Sequence, residues 1–67
     1  MDPVEIAIDT FGVRPLARLL GIVPSTVLRW REKGFVPVEH IAVIVAESDG
    51  QITERDMIYG RIDEAFD

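Results

Sequence analysis

Five cationic side chains, Arg14, Arg18, Arg29, Arg31 and Lys33, crowd into 20 consecutive residues of a chain that holds seven Lys and Arg in all. Ser25 and Thr26 add two hydroxyls to the same stretch. Guanidinium and ammonium groups only donate hydrogen bonds, so such a cluster suits an anion. The net charge of −5 argues the other way when taken as a single number. Its distribution changes the reading. Residues 1–11 carry Asp2, Glu5 and Asp9, for −3; residues 12–36 set the five cations against Glu32 alone, for +4; residues 37–67 set Arg55 and Arg61 against eight carboxylates, for −6. With a Debye length of about 8 Å in physiological salt, a phosphate touching the central stretch feels mainly local charge. The acidic remainder weakens non-specific binding.

Other chemistries find little support. There is no cysteine, which excludes disulfides and thiolate-bound zinc. The single histidine, His40, has no cluster of His, Cys or carboxylates at metal-ligand spacing around it. No nucleophile–base pair and no phosphate-binding loop is present, so an enzyme is not expected, nor a cofactor, a metal or a small-molecule ligand. The longest apolar run, residues 41–46, is far shorter than the roughly 18 residues of a membrane helix. The N-terminus is acidic where a signal peptide is basic. A soluble, cytoplasmic protein without a membrane partner is expected. The 67 residues are room for one domain, and 48% hydrophobic residues are enough for a compact core. A domain this small buries only about 60% of the surface its unfolded chain exposes.

The elements that must position the cations follow from caps and breakers. Asp2 and Pro3 suit a helix start, Gly12 a stop, and Val4, Ile8 and Phe11 share a face with Ala7 beside them, predicting a helix over about 3–11. A second helix spans about 14–20, with Pro15 tolerated in its first turn. Leu16, Ala17, Leu19 and Leu20 supply its apolar side, Arg14 and Arg18 share the other, and Gly21 ends it. The residue before a proline is pushed out of the α region, so a third helix starts at Pro24 and stops at Gly34. At 100° per residue, Val23, Val27 and Trp30 gather on one side of it. Ser25, Leu28, Arg29 and Glu32 face the opposite way, with Thr26 and Lys33 on a flank. Residues 38–47 read either as a helix apolar most of the way round, hence buried on two sides, or as a buried strand. Ser48, Asp49 and Gly50 form a turn. Thr53 caps a short last helix from which Met57 and Ile58 pack back, and Gly60 breaks it. The domain is expected over 1–60, with 61–67 a frayed acidic tail.

Two short helices joined by a glycine-containing turn are the helix-turn-helix signature. Ala17 is small where the second helix crosses the first, Gly21 frees the turn, and Val27 and Trp30 lock the second helix into the core. Their joint spacing is more specific than any one of them.

Residues 12–58 resemble the Cro/CI-type phage repressors, nearest the short Cro and YdaS-like branch. The stretches that carry the resemblance are Gly12-Val13-Arg14-Pro15-Leu16-Ala17-Arg18-Leu19-Leu20-Gly21-Ile22, Val27-Leu28-Arg29-Trp30, Gly34-Phe35-Val36-Pro37 and Gly50-Gln51-Ile52-Thr53-Glu54-Arg55-Asp56-Met57. The resemblance implies an all-α, five-helix, lambda-repressor-like domain that binds double-stranded operator DNA, often as a homodimer, in transcription control. It favours a helix over 38–47. Carried over position by position, it places the contact surface at the start of the third helix. Ser25 and Thr26 donate to phosphates or base edges. Arg29 bonds guanine O6 and N7 together, worth about 1–3 kcal/mol of discrimination. Leu28 touches a thymine methyl, and Trp30 is a core anchor. Arg14, at a helix N-terminus, meets a phosphate, as do Lys33 and Arg31, unless Arg31 pairs with a nearby carboxylate instead. Two features depart from the pattern: Val23 stands where relatives place a capping Ser or Thr, at a cost of about 1 kcal/mol, and the chain is more acidic than most relatives.

The leading expectation is therefore a Cro-like repressor. Residues 25–34 also resemble excisionase-type and MerR-type winged helices, which a β-hairpin at 36–46 would favour. A protein-binding module on a helix-turn-helix scaffold is a third reading, motivated by the carboxylates outside the central stretch.

Overall fold

The computed structural model describes residues 1–62 of the 67. They form five helices: α1 (Pro3–Phe11), α2 (Val13–Leu20), α3 (Pro24–Lys33), α4 (Val38–Glu47) and α5 (Glu54–Tyr59), with no strand among the described residues. None of these helices is long and apolar enough to cross a membrane.

Local chemistry sets the boundaries. Asp2 caps α1 in a capping box: the Glu5 N–H donates to Asp2 Oδ1 at 2.8 Å, and the Asp2 N–H donates to Glu5 Oε1 at 3.0 Å. Thr53 and Asp56 repeat the device at α5, at 3.0 and 3.1 Å. Gly21 closes α2 in the left-handed region, φ 72° and ψ 29°, where a Cβ is penalised. Its N–H donates to the Arg18 carbonyl and that of Ile22 to the Ala17 carbonyl, a Schellman arrangement. The chain therefore leaves α2 and enters α3 after only residues 21–23. Extended Val23 and then Pro24 start α3 afresh, as the proline restriction requires.

α2 and α3 pack most extensively on each other; α1 packs on α2, α3 and α5, and α4 on α5. The core they enclose holds Val4, Ile6 and Ala7 of α1, Leu16 and Ala17 of α2, Val27 and Trp30 of α3, Val36 from the connection that follows, Ile41 and Ile44 of α4, Ile52, and Met57 of α5. The Ser48 hydroxyl is buried among them without penalty. It donates to the Val45 carbonyl at 2.8 Å and accepts from the Ile52 N–H at 3.0 Å, which closes the turn between α4 and α5.

Four expectations need correction. Ile6 is buried while Ile8 and Phe11 are only half-buried, because α1 meets three helices and its apolar face is wider than one stripe. Ile58 is 58% exposed, since α5 offers the core only the side that carries Met57. α4 is a helix buried on one side: Ile41 and Ile44 point inward, while Val38, Ala42, Val43 and Ala46 are exposed. Finally, Arg61 belongs to the folded body. Its N–H donates to the Met1 carbonyl at 2.8 Å, its own carbonyl accepts from the Met1 amine at 2.7 Å, and its guanidinium holds the Gln51 carbonyl and Asp56. The remaining tail carboxylates, Asp63, Glu64 and Asp67, lie outside the described residues.

Candidate nucleic-acid interface

Val27 is fully buried and Trp30 is 7% exposed, so the inner side of α3 is fixed in the core. The Trp30 ring is also held against the His40 imidazole of α4, centroids 5.2 Å apart and tilted by 36°. A helix pinned along one side must present the other. Ser25, Leu28, Arg29 and Glu32 are all exposed on that outer side. They recur over eight residues, whose seven steps span about 10 Å along the helix axis. Thr26 lies on the flank and is half-buried, with its N–H donating to the Val23 carbonyl at 3.0 Å. Lys33 is exposed at the far end of the same helix.

The sequence-predicted Arg14 is exposed on α2, one turn before Arg18. Both line a shallow cleft of about 270 Å³ with Ala17, Ile22 and Pro24. Two guanidinium groups therefore flank the point where α3 begins. Arg18 belongs to the cationic stretch but has no contact role of its own in the sequence reading, although its i, i+4 spacing from Arg14 is the signal. The first turn of α3 has no side-chain cap, as Val23 dictates, and no acidic residue.

Electrostatics separate the cations into two groups. Among the described residues, Arg14, Arg18, Arg29, Arg31 and Lys33 have no carboxylate within salt-bridge distance, whereas Arg61 is paired with Asp56 at 2.8 Å. No described carboxylate neutralises their charge. Arg31 differs in its surroundings, because it shares a cleft with Glu5 and Asp9 of α1. That acidic border leaves its charge the least available of the five to an external anion. Leu28 is 43% exposed on the outer face. No group of three or more His, Cys, Asp or Glu among the described residues is arranged to hold a metal ion.

The arrangement offers a planar donor fork at Arg29, one hydroxyl and one aliphatic side chain beside it, and cations at both ends. Comparison with protein-family models, with curated proteins and with solved structures gives no match.

Proposed function

We propose that this chain is a sequence-specific DNA-binding transcriptional regulator of the Cro type, a lambda-repressor-like helix-turn-helix domain that lays α3 in the major groove and represses by occupying an operator. One observation carries the proposal: Val27 and Trp30 anchor the inner side of α3, so Ser25, Leu28 and Arg29 share an exposed outer face. Arg29 reads guanine, Leu28 meets a thymine methyl, and Ser25 and Thr26 bond base edges or the adjacent backbone. Arg14, Arg18 and Lys33 hold phosphates and set the register. A homodimer on DNA places two such helices about 34 Å apart, one turn of the duplex. The exposed aliphatic side chains of α4 leave apolar surface for that second copy.

Helical residues 38–47 weigh against the excisionase-type and MerR-type winged helix, which needs a hairpin there. A protein-binding module using the acidic surface remains distinguishable, because its binding survives Arg29→Ala.

Fluorescence anisotropy with operator-like duplexes tests the proposal. Three phosphate contacts per protomer give a log–log salt slope of about −2.7, a roughly 40-fold loss between 50 and 200 mM salt. Binding that is absent at 50 mM salt, or indifferent to salt, overturns it.

A further inference from the structure

Glu32 has no role in the contacts described so far. It is the sole carboxylate of residues 12–36. It is exposed on the same outer side of α3 as Ser25, Leu28 and Arg29, one turn beyond the last two. Among the described residues it makes no hydrogen bond and no ion pair, not even with Arg29 three positions before it. With Leu28 and Arg31 it lines a shallow cleft of about 400 Å³ on the helix surface. Its charge is therefore neither neutralised by a neighbour nor used to hold the fold.

We infer that Glu32 is a specificity-determining residue that selects a cytosine in the DNA site by accepting a hydrogen bond from the N4 amino group. The inference rests on the DNA-reading proposal above and names one base it recognises. An ionised carboxylate accepts hydrogen bonds and cannot donate them. In the major groove the donors are the amino groups of cytosine and adenine, while guanine and thymine present O6, N7 and O4 acceptors. Opposite an acceptor edge, Glu32 meets like partial charge and loses its water without replacement. Opposite cytosine N4 it regains a charge-assisted bond. Nearby phosphates repel it throughout, so only the base bond can offset its presence in the groove. Arg29 and Glu32 are three residues apart, about 4.5 Å along the axis, against a base-pair rise of about 3.4 Å. The selected cytosine therefore belongs to the base pair next to the guanine read by Arg29, or one step beyond it.

The test is selection from a pool of random duplexes with the wild-type chain, Glu32→Gln and Glu32→Ala. Thermal unfolding of each variant checks that the exposed substitution leaves the fold in place. The wild type enriches a cytosine within two base pairs of the guanine whose enrichment disappears in Arg29→Ala. Discrimination against other bases at that position is about 5- to 150-fold. Glu32→Ala abolishes this preference alone. Glu32→Gln replaces cytosine with adenine, because a carboxamide offers both the acceptor and the donor that N6 and N7 need. If all three chains enrich the same bases, and the variants merely bind every duplex more tightly by one common factor, Glu32 is only a repulsive charge and the inference falls. A wild-type pool with no enriched base at any position instead overturns the DNA-reading proposal, and this inference with it.

Discussion

Replacing Arg29 separates base reading from simple attraction to a polyanion. The side chain is exposed and has no ion pair to lose, so Arg29→Ala should change stability by no more than about 0.5 kcal/mol. On a selected duplex it removes a bidentate guanine contact worth about 1–3 kcal/mol, which is a 5- to 150-fold loss of affinity. On random duplexes only one mobile cation is lost. Affinity there should fall far less, and the salt slope should shrink by less than about 0.9. Arg29→Lys sharpens the comparison, because it keeps the charge but loses the planar fork. It should bind random duplexes as the wild type does, yet lose most of the preference for the selected one. Arg14→Ala and Arg18→Ala serve as controls that weaken both duplexes alike and reduce the slope by about 0.9 each. Anisotropy titrations at three salt concentrations read all of these. If Arg29→Lys matches the wild type on both duplexes, or Arg29→Ala weakens both by the same factor, Arg29 contacts backbone and the reading surface has been misassigned.

Two further predictions concern the joint between the chain ends. Gly60 has φ 77° and ψ −170°, a region nearly confined to glycine, and an added Cβ would lie 2.5 Å from the Met1 carbonyl oxygen. Gly60→Ala should cost about 1–3 kcal/mol in backbone strain alone, lowering Tm by roughly 4–8 °C per kcal/mol in calorimetry, while affinity for DNA at low temperature stays unchanged. The Arg61 guanidinium, with the Thr53 N–H, holds the Asp56 carboxyl down at about 2, below its ordinary range near 3.8. A depressed carboxylate stabilises the fold above its unfolded pKa and loses that contribution as pH falls through its folded pKa. Stability should thus decline modestly between about pH 4 and pH 2, because solvent at the exposed Arg61 side screens the pair, and Asp56→Asn should flatten that decline in urea titrations.

The helix boundaries were legible because the devices that set them are local. Gly21 determines where α2 ends, Pro24 and extended Val23 where α3 begins, and Gly34 where it stops, all within a few residues of the effect. The outward face of α3 followed from Val27 and Trp30 for the same reason. What failed depended on how many neighbours a helix meets. A single apolar stripe describes a helix packed on one partner, and α1 has three, so Ile6 went unnoticed. The continuous apolar run in α4 suggests burial on two sides, yet Val38 is 79% exposed. The clasp between Met1 and Arg61 spans 60 positions and leaves no local trace in the sequence. Arg18 is a different case: its spacing was legible, but only the cleft shared with Arg14 and Pro24 gives that spacing a use.

The acidic character of the chain and its proposed attraction to DNA are two consequences of one segregation. Among the described residues the cations of α2 and α3 have no carboxylate partner, while Asp56 is tied to Arg61, and Glu5 and Asp9 border the far side of Arg31. An approaching duplex within about 8 Å of α3 meets the cations first, and the remaining carboxylates are largely screened at that distance. At low salt, where the screening length grows, the same carboxylates repel it. Weak long-range attraction lowers affinity for arbitrary DNA more than for a sequence that engages Arg29 directly, since only the latter adds base contacts to the phosphate contacts. Under the proposed function, a small net-negative domain that reads DNA through α3 should bind arbitrary DNA poorly and its own site comparatively selectively. Discrimination between its own site and random DNA should therefore widen as salt rises, because the non-specific mode is almost wholly electrostatic and collapses first.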